Sequence, residues 1–470
     1  MFIPAFIIQR ILDNFKRLVP ASGLRYGSPK ISRLYLGVLK TYTELFLHTQ
    51  YISPGDLEKL QLLRLKNALY AASKTKWWSK RFNDAGFDAE KVRSISELKA
   101  LPVIEKADVV SAEFQDLSTE SIKGNQRIVI RGTSGTNGMP VRWALDKPTH
   151  FIECAAYHLR NLLVFGVPIW KDLARKPIFM INHYNVEFHH LGLLARDIRL
   201  QIDHKSDNSK KFLGERTRLY QEMNSSEPFI MFGATTNLWY FIKKLIEDGC
   251  HIRPAHIIST GYVLDKGLRT FFEEFFGCRV SSFYGSQEVP AIAFRCPQED
   301  NVFHLNAEHL ILEIVDEEGQ PLPIGKMGYI VLTCLSNLVM PVLRYRLGDM
   351  GRMLDGSCDC GRTLPRFELI GRDYEFIRLK DGEKIPSYLL YTIIMQDRFL
   401  KIYQYQIRQV AEDMLHIYIS PNKTWSKEDE LGIKMSVQKA FRGKLSAKVI
   451  IVDKIPAIGR KHKSFVPLVE

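Results

Sequence analysis

Phe229-Ile-Met-Phe232, His256-Ile-Ile-Ser-Thr260 and Arg279-Val-Ser-Ser-Phe-Tyr284 decide the fold of this chain. Each is a short run of apolar and small residues, the kind of segment that a sheet buried on both faces requires. Between them, Asn237 to Asp248 and Lys266 to Phe276 carry apolar residues at helical spacing. The segment from Pro228 therefore reads strand, helix, strand, helix, strand. That rhythm builds a parallel sheet flanked by helices, and ligands of such sheets gather at the carboxyl ends of the strands. Ser259-Thr260-Gly261-Tyr262 and Tyr284-Gly285-Ser286-Gln287-Glu288 fall at those ends, and both are expected to line one crevice.

Upstream, Leu60, Leu63, Leu65, Leu69 and Tyr70 repeat with helical spacing, and Ile95 to Leu101 follows with Ser94 or Ser96 as a cap; residues 1–110 are expected to form a helical cover. Downstream, from about 303 to 370, short strands alternate with turns such as Glu318-Gly319-Gln320-Pro321, the mark of a small, mostly β subdomain. The last hundred residues read as a helix near Ser387 to Gln396, a ribbon over Ile402 to Ile419, a helix over Ser426 to Phe441 and a strand over Ala447 to Val452. The expected class is α/β. Residues 111–370 would be the core with its β subdomain, and 371–470 a smaller α+β lobe.

With 470 residues and 46% hydrophobic content the chain can bury two or three cores. The net charge of +13 is spread without a run of five basic residues, which favours an enzyme handling anionic substrates over a nucleic-acid binder. The apolar start, Met1 to Ile8, is interrupted by Gln9, Arg10, Asp13 and Lys16, so neither a signal peptide nor a transmembrane segment is expected. Phe6, Ile7, Ile11, Leu12, Phe15 and Leu18 have helical spacing, and that face is expected to dock on the body rather than on a membrane surface. Seven cysteines, an odd number, point to a reducing, cytoplasmic setting.

Between two strand-like stretches lies Arg131-Gly-Thr-Ser-Gly-Thr-Asn-Gly-Met-Pro140. Gly132, Gly135 and Gly138 let the backbone approach an anion, and Thr133, Ser134 and Thr136 offer hydroxyl donors to phosphate oxygens. A Walker loop would need Gly-Lys-Ser/Thr and a following helix, whereas Met139 and Pro140 lead into an alternating Val-Arg-Trp-Ala-Leu run. An ordinary hairpin turn is the plain alternative.

Taken in order, the motifs resemble those of the adenylate-forming superfamily, in the branch of phenylacetate–coenzyme A ligases, coenzyme F390 synthetases and CapK-like proteins. Thr133 to Gly138 resembles its phosphate loop, Tyr284 to Glu288 its adenine and magnesium motif, and Tyr345-Arg-Leu-Gly-Asp349 its ribose motif. Gly371-Arg372 resembles the hinge, and Gly459-Arg-Lys-His-Lys463 the C-terminal lysine loop. The resemblance implies a large N-terminal adenylate-forming domain, a mobile C-terminal domain, and use of ATP and Mg²⁺ to activate a carboxylic acid. It assigns Glu288 to Mg²⁺, Tyr284 to adenine, Asp349 and Arg372 to ribose, and Lys461, with Lys463 as competitor, to the transferring phosphoryl group. Gly261, Gly285, Ser286 and Gln287 fall in the nucleotide site by the same likeness. Coenzyme A is the expected acceptor, with an amine as alternative; a homodimer is compatible with the reading, and nucleic acid is not an expected partner.

Cys296, His304, Cys358 and Cys360 offer three thiolates and one imidazole, the donor set of a closed structural zinc site. The long interval between His304 and Cys358 is not a standard finger spacing, so unrelated thiols are the alternative, although members of the branch often carry similarly placed residues. Two departures stand out. Tyr262 follows Gly261 where the family usually has Glu, and Tyr374 stands where an acidic hinge residue is expected. The acyl pocket is expected near Asn182, His183, Tyr184, Phe188, His189 and His190, whose polarity suits an aromatic or hydroxylated acid. A non-catalytic nucleotide- or polyanion-binding protein is the rival from another class; the joint presence of Glu288, Asp349 and Lys461 speaks against it.

Overall fold

The computed structural model describes residues 4–18, 24, 33–119, 122–132, 141–167, 178–182, 195–199, 210–226, 228–261, 264, 266–373, 375–395, 398, 401–455 and 464–468. The described residues begin with the α-helices α1 (Ala5–Leu18), α2 (Arg33–Thr49), α3 (Pro54–Ser73), α4 (Lys76–Asp84) and α5 (Lys106–Ser111), with a 3₁₀ turn over Ile95–Ala100 before the last. α3 starts where its sequence tells it to. Ser53 accepts from the Asp56 backbone N–H, Pro54 occupies the first turn, and Asp56 complements the positive end of the helix dipole. In α1 the docked face is Ile8 and Leu12, whereas Phe6 and Leu18 are 63% and 53% exposed. The apolar set is thus split: a helix turns about 100° per residue, and Ile8 and Leu12, four apart, share the face toward the body.

A hairpin of β1 (Ile128–Gly132) and β2 (Arg142–Asp146) comes next, then α6 (Cys154–Val164). β3 (Ile178–Asn182), β4 (Ala195–Arg199), α7 (Lys210–Ser225), β5 (Ile230–Ala234), α8 (Thr235–Glu247), β6 (His256–Thr260), α9 (Lys266–Phe276) and β7 (Val280–Tyr284) supply the parallel half. The bounds of β6 and α9 match the expected ones. α9 shows why it forms: Leu268, Phe272 and Phe276, spaced by four, are its buried residues, and each contributes roughly 1.5–3 kcal/mol by leaving water.

The β-rich segment is present but does not stand apart. β8 (Ala293–Arg295), β9 (Val302–Leu305), β10 (Leu310–Val315), β11 (Gly328–Cys334), β12 (Tyr345–Leu354) and β13 (Arg366–Arg372) continue the parallel sheet edge to edge. The result is one eleven-stranded sheet in the order β10-β11-β12-β13-β9-β8-β7-β6-β5-β3-β4. β7 is the junction, parallel to β6 and antiparallel to β8.

Buried ion pairs tie the helices to this sheet. Arg160 on α6 pairs with Glu308, both with fully buried side chains; Arg64 on α3 reaches Glu153 at 2.6 Å and the Glu308 carbonyl at 2.9 Å. Thr49 donates to Glu308 Oε1 at 2.7 Å. Three helical segments therefore converge on the loop between β9 and β10.

After a small hairpin, β14 (Phe376–Arg378) and β15 (Lys384–Pro386), the chain forms α10 (Tyr388–Met395), β16 (Ile402–Ala411), β17 (Met414–Pro421), α11 (Lys427–Ala440), β18 (Ser446–Ile451) and β19 (Phe465–Val466). The four strands pair in the order β18-β17-β16-β19. Leu390, Ile394 and Ile402 of this lobe share one apolar cluster with Leu238, Ile242 and Phe272 of the body. Lys243 crosses that seam. Its ammonium donates to the Ile402 carbonyl and lies 3.9 Å from the Trp239 ring centroid.

Burial lowers the Lys243 pKa to about 7. Between that value and the ordinary lysine value the unfolded chain binds a proton that the folded chain does not, so folding stability rises with pH across this window and is flat below it. Lys243→Met is expected to flatten this part of the curve, read by urea denaturation between about pH 7 and pH 10; a variant as steep as the parent would refute the assignment.

Candidate functional site

The parallel strands β5, β6 and β7 end side by side, and their carboxyl ends build the crevice. Thr235 and Ser259 share a hydrogen bond of 2.6 Å, and Thr260 Oγ1 donates to the Phe283 carbonyl at 3.1 Å. These bonds lock adjacent strand ends together. Gly261 follows at φ +79°, a conformation that a side chain disfavours, so the chain turns away sharply at the mouth. Ser259-Thr260-Gly261 and the end of β7 that leads into Tyr284 to Glu288 therefore lie on neighbouring strands.

The turn after β7 is cross-tied. Ser286 N–H donates to the Val289 carbonyl at 3.1 Å, and Val289 N–H returns to Ser286 Oγ at 3.0 Å. A Cβ on Gly285 would come within 3.2 Å of the Ala291 nitrogen, which explains glycine there. Ser286, Gln287 and Glu288 are half-buried. The Glu288 charge is felt at Arg131, Tyr284, Tyr345 and Asp349, so its carboxylate lies within electrostatic reach of all four.

Asp349 is the second anchor. In the register of β12 and β13 it stands opposite Arg372, whose Nε lies 3.0 Å from Oδ1, while the Tyr284 hydroxyl donates to Oδ2 at 2.7 Å. Burial pushes the Asp349 pKa up, and the Arg372 charge and the Tyr284 hydrogen bond pull against it, leaving a net upward shift. Arg372 also donates to the Leu347 carbonyl at 3.0 Å. Gly348, at φ +77°, brings the backbone beside Arg372 and Asp373. The Tyr284 ring is 9% exposed, and it packs near Phe303 and Phe367 with centroids 6.3 and 6.0 Å away. Its hydroxyl acts as a support for Asp349, a task that spacing alone did not reveal.

Two arginines escaped the sequence reading. Arg344, at φ +45° and almost wholly buried, pairs with Glu313 and donates to the carbonyls of Leu101 and Gly319. It bolts the helical cover to the sheet. Arg131, on β1 one residue before the glycine that opens the phosphate-loop motif, is 3% exposed. A cleft of about 630 Å³ lined by Lys80, Arg81, Lys99, Glu318 and Arg344 includes none of the residues at the strand ends.

A second cluster sits where β8, β9 and the loop before β13 meet. The ligating atoms of Cys296, His304, Cys358 and Cys360 all lie within 4.8 Å of one another. Cys296 and Cys358 sulfurs are 3.5 Å apart, and Cys360 Sγ is 3.2 Å from His304 Nε2. Tetrahedral zinc, with bonds of about 2.3 Å to sulfur and 2.0–2.1 Å to nitrogen, sets ligand atoms roughly 3.4–3.8 Å apart, so the donor set fits that ion. Glu299 stands beside it, accepting from Cys358 Sγ and from Arg366 Nη1, each at 2.8 Å.

Thr133, Ser134, Gly135, Thr136, Gly138, Lys461 and Lys463 lie outside the described residues, as do Tyr262, Tyr374, His183, Tyr184, Phe188, His189 and His190. The strands flanking the phosphate-loop motif are described, and they form an antiparallel hairpin.

No family model matches the chain. Phenylacetate-coenzyme A ligase of Thermus thermophilus is 23% identical over 424 residues, covering 86% of this chain and 87% of that protein. The enzyme of the same name from Escherichia coli is 24% identical over 370 residues, or 76% and 80% of the two chains. Among solved structures, 2-hydroxyisobutyryl-CoA ligase in its postadenylation state with 2-HIB-AMP aligns at a TM-score of 0.72 and 17% identity, over 89% of this chain and 90% of that one. The structural likeness supports the fold over most of the chain.

Tyr284→Phe removes one of the two side-chain ties on the buried Asp349 carboxylate. The loss is expected to cost about 1–3 kcal/mol of stability, measured as a shift in the denaturation midpoint; an unmoved midpoint would show that the bond contributes nothing.

Proposed function

We propose that the chain, which is similar to phenylacetate-coenzyme A ligases, is an adenylate-forming enzyme that joins a carboxylic acid to coenzyme A by way of an acyl-adenylate. The observation that carries this reading is the meeting of Glu288, Asp349, Arg372 and Tyr284 at the carboxyl ends of the parallel strands. Three distant segments of sequence supply them. A carboxylate and a triphosphate repel one another, so the site must neutralise charge and hold the pair in line.

In this reading Asp349 accepts from the ribose hydroxyls and Arg372 reaches the same sugar, while Tyr284 keeps the carboxylate in place. The Thr133–Gly138 backbone and hydroxyls grip the phosphates. Glu288 supplies the carboxylate that Mg²⁺ favours alongside phosphate oxygens, and the bound ion offsets phosphate charge. Lys461 stabilises the charge on the transferring phosphoryl group. A carboxylate oxygen forms the new bond to the α-phosphorus as the bond to the bridging oxygen breaks, and pyrophosphate leaves with that electron pair. The thiol of coenzyme A then displaces AMP. An aromatic or hydroxylated acid is the substrate class, in keeping with the polar set from Asn182 to His190.

Pyrophosphate exchange into ATP, run over a panel of aromatic and hydroxy acids, tests the proposal. Exchange with at least one acid, falling by about 10²-fold or more in Lys461→Ala, is expected. Indifference to every acid would sink it.

Cys296, His304, Cys358 and Cys360 would hold a structural zinc ion. With four protein ligands no position stays open for chemistry, and the ion would pin β8 and β9 to the loop before β13. Binding would displace the Cys358 proton and leave Glu299 to Arg366. Stoichiometric zinc by elemental analysis is expected, lost when Cys358 and Cys360 are both replaced by Ser; absence of zinc from the parent protein would reject the site.

A further inference from the structure

Arg131 is handled unlike the other deeply buried arginines. Arg64, Arg160 and Arg344 each have a carboxylate partner and at least one backbone carbonyl. Arg131 is as deeply buried, yet its Nε and Nη1 have no hydrogen-bond partner among the described residues. Burial lowers its pKa to about 10, which leaves the guanidinium charged near neutrality. An unmatched buried cation costs several kcal/mol of folding stability, so a protein that keeps one has a use for it.

Its surroundings say what that use is. Arg131 stands directly opposite Trp143 in the β1–β2 register, and the Trp143 ring meets Tyr345 edge-on at 5.3 Å. The guanidinium lies within electrostatic reach of Glu288 and of Cys154 and His158 of α6. His158 itself packs 4.8 Å from the Phe283 ring. The cation is thus buried beside Trp143 and within electrostatic reach of Glu288. A hydrated magnesium triphosphate is too large and too wet for a guanidinium held this deep. A small carboxylate on an apolar body suits it, and the planar fork matches a carboxylate with two parallel hydrogen bonds.

We propose that Arg131 receives the carboxylate of the acid substrate and presents one of its oxygens to the α-phosphorus. This rests on the adenylate-forming reading above. The residue binds and orients, and it takes no proton in the step.

The test uses the full-length protein with Arg131→Met and Arg131→Lys. Phenylacetate, anthranilate and 2-hydroxyisobutyrate are the probes, and pyrophosphate exchange and thermal melting are the readouts. Expected in Arg131→Met is a rise of about 10²-fold in KM for the acid that supports exchange, with KM for ATP nearly unchanged; Arg131→Lys should recover part of the loss. In the absence of ligand Arg131→Met should melt no lower than the parent, because it removes an uncompensated charge. The acid should raise the melting temperature of the parent and not of the variant.

An unchanged acid KM overturns the proposal, as does a rise confined to ATP, which would make Arg131 a phosphate grip. A large drop in ligand-free melting temperature would make it a structural residue. If the parent exchanges pyrophosphate with none of the acids, the adenylate-forming reading is what fails. Arg131 is then judged on melting alone, and equal shifts of parent and variant by the same acids refute it.

Discussion

β7 holds the molecule together because it must satisfy two neighbours of opposite direction. On one edge it pairs parallel with β6, and on the other antiparallel with β8. Val280 to Ser282 pair with β6 and Phe283 and Tyr284 with β8, and Val280 to Tyr284 are all buried. The last of these, Tyr284, is also the first residue to leave the ladder toward the crevice. The turn bearing Glu288 and the strand bearing Asp349 are brought together only because the two half-sheets share this strand.

The electrostatics follow from the same arrangement. Charges far inside the protein are paired where they serve the fold, as with Arg160 and Glu308 or Arg344 and Glu313. Their partners come from remote stretches of chain, so each pair fixes the position of one layer against another. Around the crevice the balance differs: Asp349 carries an upward-shifted pKa despite two partners, and Glu288 projects negative charge onto four neighbours. Buried charge of this kind is poorly compensated by the protein itself, which is what a site for a polyanion and its counter-ion requires.

Much of this was legible in the sequence. The βαβαβ rhythm from Pro228 placed β6 and α9 at their observed bounds, because short apolar runs and helical spacing alternate cleanly there. The crevice residues were legible through strand order, since ends of adjacent parallel strands must lie together. What resisted reading was anything decided by a partner distant in sequence. The role of the Tyr284 hydroxyl depends on Asp349, far along the chain, and nothing local in the sequence marks Arg131 and Arg344 as buried. The continuity of the large sheet was hidden for the same reason, for a run of short strands has the same local pattern whether it stands alone or extends a neighbour. In α1 the sequence showed an amphipathic helix, but Ile8 and Leu12, not Phe6 and Leu18, meet the body.

The seam between α8, α9 and the terminal lobe sets the mechanical character of the pair. Leu390, Ile394 and Ile402 are wholly buried within a cluster that spans both sides, and returning each to water costs roughly 1.5–3 kcal/mol. Such a joint behaves as a detent and not as a loose bearing. It keeps one orientation at rest, and turning it demands a load comparable to the binding energy of a small molecule.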